Sequence, residues 1–282
     1  MSGCGDDALA RWCRICCLVG ATVLPAAELR GEDRPPTACR FEAAGAGKVR
    51  TVADGRSFTL EDGREVRLAG IEVPLPPRPG GSDARAAGAA SARAALAAML
   101  GGGEVEIAQD GAAADRYGRL VAFAYVMRDG ARRSAAHEML REGFARVSAH
   151  VGDRACAAEL LAQERAARQA KLGLWSEPYY AILGAESTAE LAAERGRFAL
   201  VEGRVLSVRE SGATIYMNFG RRWSQALTVT IAKRDERAFA AAGMAPKRLE
   251  NRRVRVRGWI EDRNGPRIAA SRPEQIEIAE RN

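Results

Sequence analysis

The chain has 282 residues, 47% hydrophobic and 28% charged. That is the composition of a globular protein of about one or two domains, not of a disordered or collagen-like chain. Past the first thirty positions no apolar run reaches the ~18 residues of a spanning helix, which excludes a polytopic membrane protein, and six cysteines are too few for a disulfide-stapled mini-protein. The net charge of +7 is unevenly placed: residues 197–282 hold 18 basic and 10 acidic side chains, residues 1–196 hold 25 and 26. A basic module joined to a near-neutral one points to an anionic partner, nucleic acid before membrane surface.

Residues 1–27 have the form of an export signal. Arg11 and Arg14 precede the apolar stretch Ile15–Pro25, which has the length of a signal-peptide core and is too short to span a membrane. The expected location is therefore the periplasm or the exterior, with no stable membrane insertion once the signal is removed. Four cysteines would leave with that segment. Cys39 and Cys156 would remain, either as a disulfide or as two unpaired small apolar residues.

Residues 28–46 read as a polar linker, and a first domain is expected over 47–178. Lys48–Ala53, Ser57–Leu60 and Glu65–Ile71 alternate as strands do, separated by the tight-turn pairs Asp54-Gly55 and Asp62-Gly63. Pro74–Gly81 cannot hold regular structure. Asp83–Leu100 is an alanine-rich helix stopped by three glycines. Glu104–Ala108 and Arg119–Met127 read as strands, and Ser134–Gly143 and Arg154–Leu172 as helices.

Residues 179–196 read as a connector, and 197–282 as a second, basic domain. Its strands are expected at Phe198–Val208, Thr214–Phe219, Ala226–Ile231, Arg253–Ile260 and Arg267–Ala270, with a helix at Glu236–Ala242. Five strands with a helix between the third and fourth is the order of an OB-fold. The fold class is thus α+β and rich in β-barrel.

Four motifs carry chemistry: D-G-x-S-F at Asp54–Phe58, V-R-L-A-G-I-E-x-P at Val66–Pro74, D-R-Y-G-R at Asp115–Arg119 and G-L-W at Gly173–Trp175. In order and spacing they resemble the staphylococcal-nuclease-like, or thermonuclease, family over about residues 46–178. The resemblance implies an OB barrel with helices that hydrolyses DNA and RNA with Ca²⁺. Arg67 and Arg119 then match the two arginines that clamp the phosphate and stabilise transition-state charge. Asp54 and Glu72 match acidic positions of the metal site, since a hard cation takes oxygen ligands. Two departures count against Ca²⁺ and against cleavage. A ligand aspartate is Arg56 here, and the carboxylate of the general base is Leu75; losing a positioned base costs about 10²–10⁴ in rate. Glu72 is either solvated or a partner of Arg56, and the alternative for Arg56 is a surface side chain that projects into solvent.

Tyr117 is a candidate stacking surface for a nucleotide. His137 and His150 form no metal pattern and read as structural or exposed. In the second domain Arg253, Arg255 and Arg257 alternate with valines and are expected on one strand face, where they would form a phosphate track. Arg221-Arg222-Trp223 adds charge and an aromatic, as single-strand binding surfaces do. The leading expectation is an exported protein directed at DNA or RNA, single strands favoured, with phosphodiester hydrolysis weak or lost. Two alternatives stand beside it: an active metal-dependent endonuclease with a rebuilt site, and an envelope scaffold that uses its barrels to bind protein.

Overall fold

Short strands broken by Asp-Gly turns cannot bury an apolar face alone, so they close on themselves. The computed structural model describes residues 39, 41–76, 83–109, 114–151, 153–222 and 224–279. Residues 1–27, expected as an export signal, residues 28–38 of the expected linker, and Trp223 lie outside the described residues. Strands β1 (Glu42–Asp54), β2 (Ser57–Leu60) and β3 (Glu65–Leu68) form an antiparallel meander. The two-residue β4 (Ile71–Glu72) leads towards helix α1 (Asp83–Leu100), followed by β5 (Glu104–Gln109) and β6 (Leu120–Arg128). β3 and β6 pair in parallel, closing a five-stranded barrel in the order β1-β2-β3-β6-β5. Register shifts at Val49/Thr51 and Val52/Asp54 bend β1 so that it can serve two neighbours. β7 (Ala131–Ser134) extends the sheet, and α2 (Ala135–Arg141), β8 (Arg146–Val147) and α3 (Arg154–Gln169) pack beside it.

β1 starts well before Lys48. Residues 42–46 are small or polar and read locally as linker, yet they pair with β5 from Glu42↔Gln109 to Ala46↔Glu106. A disulfide joins Cys39 to Cys156 near the start of α3, so the strand's approach is anchored to a helix 117 residues away in sequence. Phe58, Leu60, Val66, Leu68, Val105, Ile107 and Phe123 fill the barrel, and Leu96, Met139 and Leu160 seal it from the helices.

After α3 come two 3₁₀ turns, then β9 (Leu183–Gly184) and α4 (Thr188–Ala193), so the expected connector is structured. Its β9 pairs in parallel with β10 (Phe198–Arg204). The second, OB-like half, whose strands form two sheets, continues with β11 (Ser207–Ser211), β12 (Thr214–Asn218), β13 (Thr228–Ala232) and α5 (Glu236–Ala241). It ends with β14 (Arg253–Trp259), β15 (Glu261–Asp262), β16 (Pro266–Ala269) and β17 (Ile276–Ile278). β13 pairs in parallel with β16, repeating the β3–β6 arrangement. Val201, Met217, Phe219, Val229, Ile231, Phe239, Val254 and Val256 form its core.

Both barrels lie in one compact unit, Thr37–Asn282. At their seam Glu164 of α3, 0% exposed, faces Arg257 of β14, 1% exposed. Arg257 Nη1 donates to Glu164 Oε2 at 2.8 Å and to the Val147 carbonyl at 3.1 Å; its Nη2 donates to Glu164 Oε1 at 3.0 Å and also pairs with Glu277. The Val147 amide and Arg168 Nη1 donate to Glu164 at 2.6 and 2.9 Å. Burial works against charge on both groups. For Arg257 the carboxylates of Glu164 and Glu277 outweigh it and raise its pKa; for Glu164 the guanidinium of Arg257 outweighs it and holds the carboxyl low.

Removing one partner of such a pair strands a buried charge. Arg257→Ala will therefore lower unfolding stability in guanidinium chloride by about 3–5 kcal/mol, whereas Arg253→Ala, at an exposed pair, will change it by less than about 1 kcal/mol. The disulfide closes a loop of 117 residues, and its reduction removes about 5 kcal/mol in the chain-entropy picture. Melting with and without dithiothreitol measures it.

Candidate functional site

The site forms where three loops of the first barrel meet. β1 ends at Asp54, whose Oδ1 accepts the Arg56 amide at 2.8 Å and fixes the turn. Gly55 is required in that turn: a Cβ there would meet Ala92 Cβ of α1 at 2.7 Å. The turn is thereby pressed on α1, and Arg56 is only 7% exposed. It does not project into solvent. Its guanidinium pairs with Oε2 of the buried Glu72.

Glu72 lies on β4, which pairs with β8 in the register Glu72↔Arg146. Gly70 lets the chain turn into that strand at φ +76°, where a Cβ would meet Leu160 Cδ1 at 2.8 Å. Arg67 Nη2 donates to Glu72 Oε1 at 3.3 Å. Both oxygens of Glu72 are therefore engaged by guanidinium groups.

The parallel pairing that closes the barrel aligns Arg67 with Val121, which brings the 115–119 loop beside β3. Asp115 organises that loop. Its Oδ1 accepts the amides of Tyr117 at 2.9 Å and Arg119 at 3.1 Å. Its Oδ2 accepts Arg119 Nε at 2.8 Å and lies 3.9 Å from Arg67 Nη1. Burial pushes Asp115 up, but the Arg119 guanidinium and the two amides outweigh it and keep its carboxyl below the ordinary range. Arg67 is pushed down, first by burial and then by the charges of Arg56 and Arg119. Asp115 is the functional residue that the motif reading missed. Its signal was there: an Asp two residues before the tyrosine and four before the arginine, in a turn with glycine at 118.

Tyr117 is 67% exposed. Arg116 and Arg119 lie over its ring at 4.8 and 5.2 Å from the centroid, and Arg116 Nη2 donates to its hydroxyl at 2.7 Å. Leu75 is also exposed and lies just past Pro74, with no proton-accepting atom on its side chain.

Arg67, Arg119, Glu72 and Arg56 thus come together in one ion-pair network, with Asp54 holding the turn and Tyr117 at the open side. The set does not fit Ca²⁺. A calcium ion takes six to eight oxygens; here both Glu72 oxygens are in ion pairs, and a guanidinium stands against the carboxylate. Among the described residues the one group of His, Cys, Asp and Glu atoms close enough to share an ion is Cys39, His137 and Glu159. Its sulfur is in the disulfide.

The arginine stripe of the second domain is corrected in part. Arg253, Arg255 and Arg257 do share a face of β14, but Arg257 is held inside the seam by Glu164, so it offers nothing to a polymer. Arg253 Nε and Arg255 Nη2 each donate to Glu202 of the neighbouring β10 at 2.7 Å. Burial raises Glu202, but these two arginines outweigh it and keep its carboxyl low.

Residues 65–177 match the family described as staphylococcal nuclease homologue. The match takes in Arg67, Glu72, Leu75, Asp115 and Arg119, and begins after Asp54 and Arg56. No curated protein matches the chain in sequence. With that match lying across a closed five-stranded barrel, this part of the chain is a staphylococcal-nuclease-like, OB-type domain.

Proposed function

We propose that the protein is an exported, nucleic-acid-directed member of the nuclease type that grips phosphodiesters and cleaves them weakly or not at all. The observation that carries this reading is the Arg56–Glu72 pair. It sets a fixed positive charge where the resemblance calls for a divalent cation, and like charges a few ångströms apart repel. Leu75 supplies no atom to activate water. The phosphate-gripping parts remain. Arg67 and Arg119 are both partly open to solvent and both braced by Asp115, so a planar guanidinium can meet a phosphate with little loss of side-chain freedom.

Support for export comes from the sequence of residues 1–27 and from the Cys39–Cys156 bond, which persists in oxidising compartments. The reading gives the periplasm or the exterior as the location. No helix among the described residues is long and apolar enough to cross a membrane. The preference for single strands follows from the exposed Tyr117, because an unpaired base offers a ring face to stack on and a paired base does not.

The deciding experiment incubates labelled single-stranded DNA and RNA with residues 28–282 in Ca²⁺, Mg²⁺, Mn²⁺ or EDTA. Cleavage will not exceed that of Arg119→Ala, while binding will weaken steeply with salt. Arg119→Ala will reduce the slope of log affinity against log salt by about 1. Cleavage abolished both by EDTA and by Arg119→Ala overturns the reading in favour of an active endonuclease; no binding at low salt favours the scaffold. In a separate calorimetric titration the unsubstituted chain will show no saturable Ca²⁺ uptake at about millimolar ion. Arg56→Asp will create it, by freeing Glu72 and adding a second carboxylate.

A further inference from the structure

Beside the arginine network, at the seam of the two barrels, lies a cavity of about 170 Å³. The nuclease-type side contributes Glu72, Leu75 and Arg146; the second barrel contributes Phe198 and Trp259; Tyr180 of the connector completes it. We propose that this cavity receives one unstacked nucleobase of a strand whose phosphate is gripped by Arg67 and Arg119. The inference rests on the phosphate reading above and adds to it a base subsite built from both barrels.

Four observations carry it. First, Glu72 is shared: it lines the cavity and is bonded by Arg56 and Arg67. A phosphate at the arginines and a ring in the cavity would therefore be neighbours, as the phosphate and base of one nucleotide are. Second, the walls are aromatic and set at angles. Phe198 and Trp259 meet edge to face at 6.2 Å, and the Arg146 guanidinium lies 4.2 Å from the Tyr180 ring centroid and 5.2 Å from that of Phe198. Flat π-systems pack favourably on both kinds of surface. The guanidinium is fixed by donating to the Phe198 carbonyl at 2.7 Å, and its Nε is buried with no hydrogen-bond partner.

Third, Leu75 is 44% and Trp259 39% exposed. Two large apolar side chains left open on one cavity are a recognition feature. Fourth, the cations of the lining are held by the protein: Arg85 and Arg197 at the rim both pair with Glu194, and Arg146 donates to the Phe198 carbonyl and lies against two rings. The cavity's volume lies below the roughly 300–1,000 Å³ of sites for drug-sized ligands, which suits a single base rather than a dinucleotide. A base reaches it only out of a stack, and leaving a duplex costs a few kcal/mol, so the cavity selects single strands.

The test compares two probes of equal length on the full chain: a labelled oligothymidylate, and a strand of abasic tetrahydrofuran phosphates. Trp259→Ala will weaken binding of the oligothymidylate about tenfold and leave the abasic strand unchanged, whereas Arg119→Ala will weaken both. Thermal melting checks that each variant is folded. On the unsubstituted chain, a 5-iodouracil strand under ultraviolet light will crosslink to peptides containing Trp259 or Tyr180. Equal effects of Trp259→Ala on both probes, or crosslinks confined to peptides elsewhere, overturn the base cavity and leave the phosphate grip standing. Failure of the unsubstituted chain to bind either probe overturns the phosphate reading itself.

Discussion

The Glu164–Arg257 pair is the constraint on which the arrangement turns. Neither group reaches water, so each depends on the other to stay charged. Glu164 also accepts the Val147 amide, and Arg257 donates to the Val147 carbonyl. Val147 belongs to β8, whose only strand partner among the described residues is β4, and β4 bears Glu72. One buried ion pair therefore links the second barrel, helix α3 and the strand that holds the acidic residue of the site. The path from the seam to Glu72 thus runs through two hydrogen-bonded strands.

The site itself is an exercise in matched charge. Four arginines (56, 67, 116 and 119) stand against Asp54, Glu72 and Asp115. Guanidinium groups crowded together are tolerable because each carboxylate is shared: Glu72 between Arg56 and Arg67, Asp115 between Arg67 and Arg119. Arg67 sits in both pairs; burial first, and then the charges of Arg56 and Arg119, lower its pKa against the opposing pull of Glu72 and Asp115. A cluster so nearly neutral has little pull on a divalent cation. It keeps donors free to turn outward, since a guanidinium has five N–H groups and an ion pair uses two or three.

Much of this was legible before any coordinates. Asp-Gly pairs mark turns because glycine fits where a Cβ would collide, and Gly55 against Ala92 bears that out. The order of strands with one helix between the third and fourth expected strands of the second half is likewise met by α5, which lies between β13 and β14. What escaped the sequence is what tertiary contacts decide. Residues 42–46 lack a strand's pattern and become one by pairing with β5. Alternation in Arg253–Arg257 reveals which side chains share a face, but not what covers that face, and here α3 brings Glu164 onto Arg257. Position 56 reads as a broken ligand site from the motif alone. Only the fold reveals that the arginine is inside and satisfied.

The two departures from the nuclease pattern have one physical consequence in common. Leu75 lines the same cavity as Phe198 and Trp259. A carboxylate at that position would face apolar ring surface, and a charge there costs free energy unless something pairs with it. The aromatic wall of that cavity, Phe198 and Trp259, comes from the second half of the chain. An alkyl side chain suits that wall as a general base does not. Arginine at 56 satisfies one oxygen of Glu72 without a metal ion. Both departures thus act at one place: Arg56 engages Glu72, and Leu75 adds an apolar side chain to the cavity that Glu72, Arg146, Phe198 and Trp259 also line.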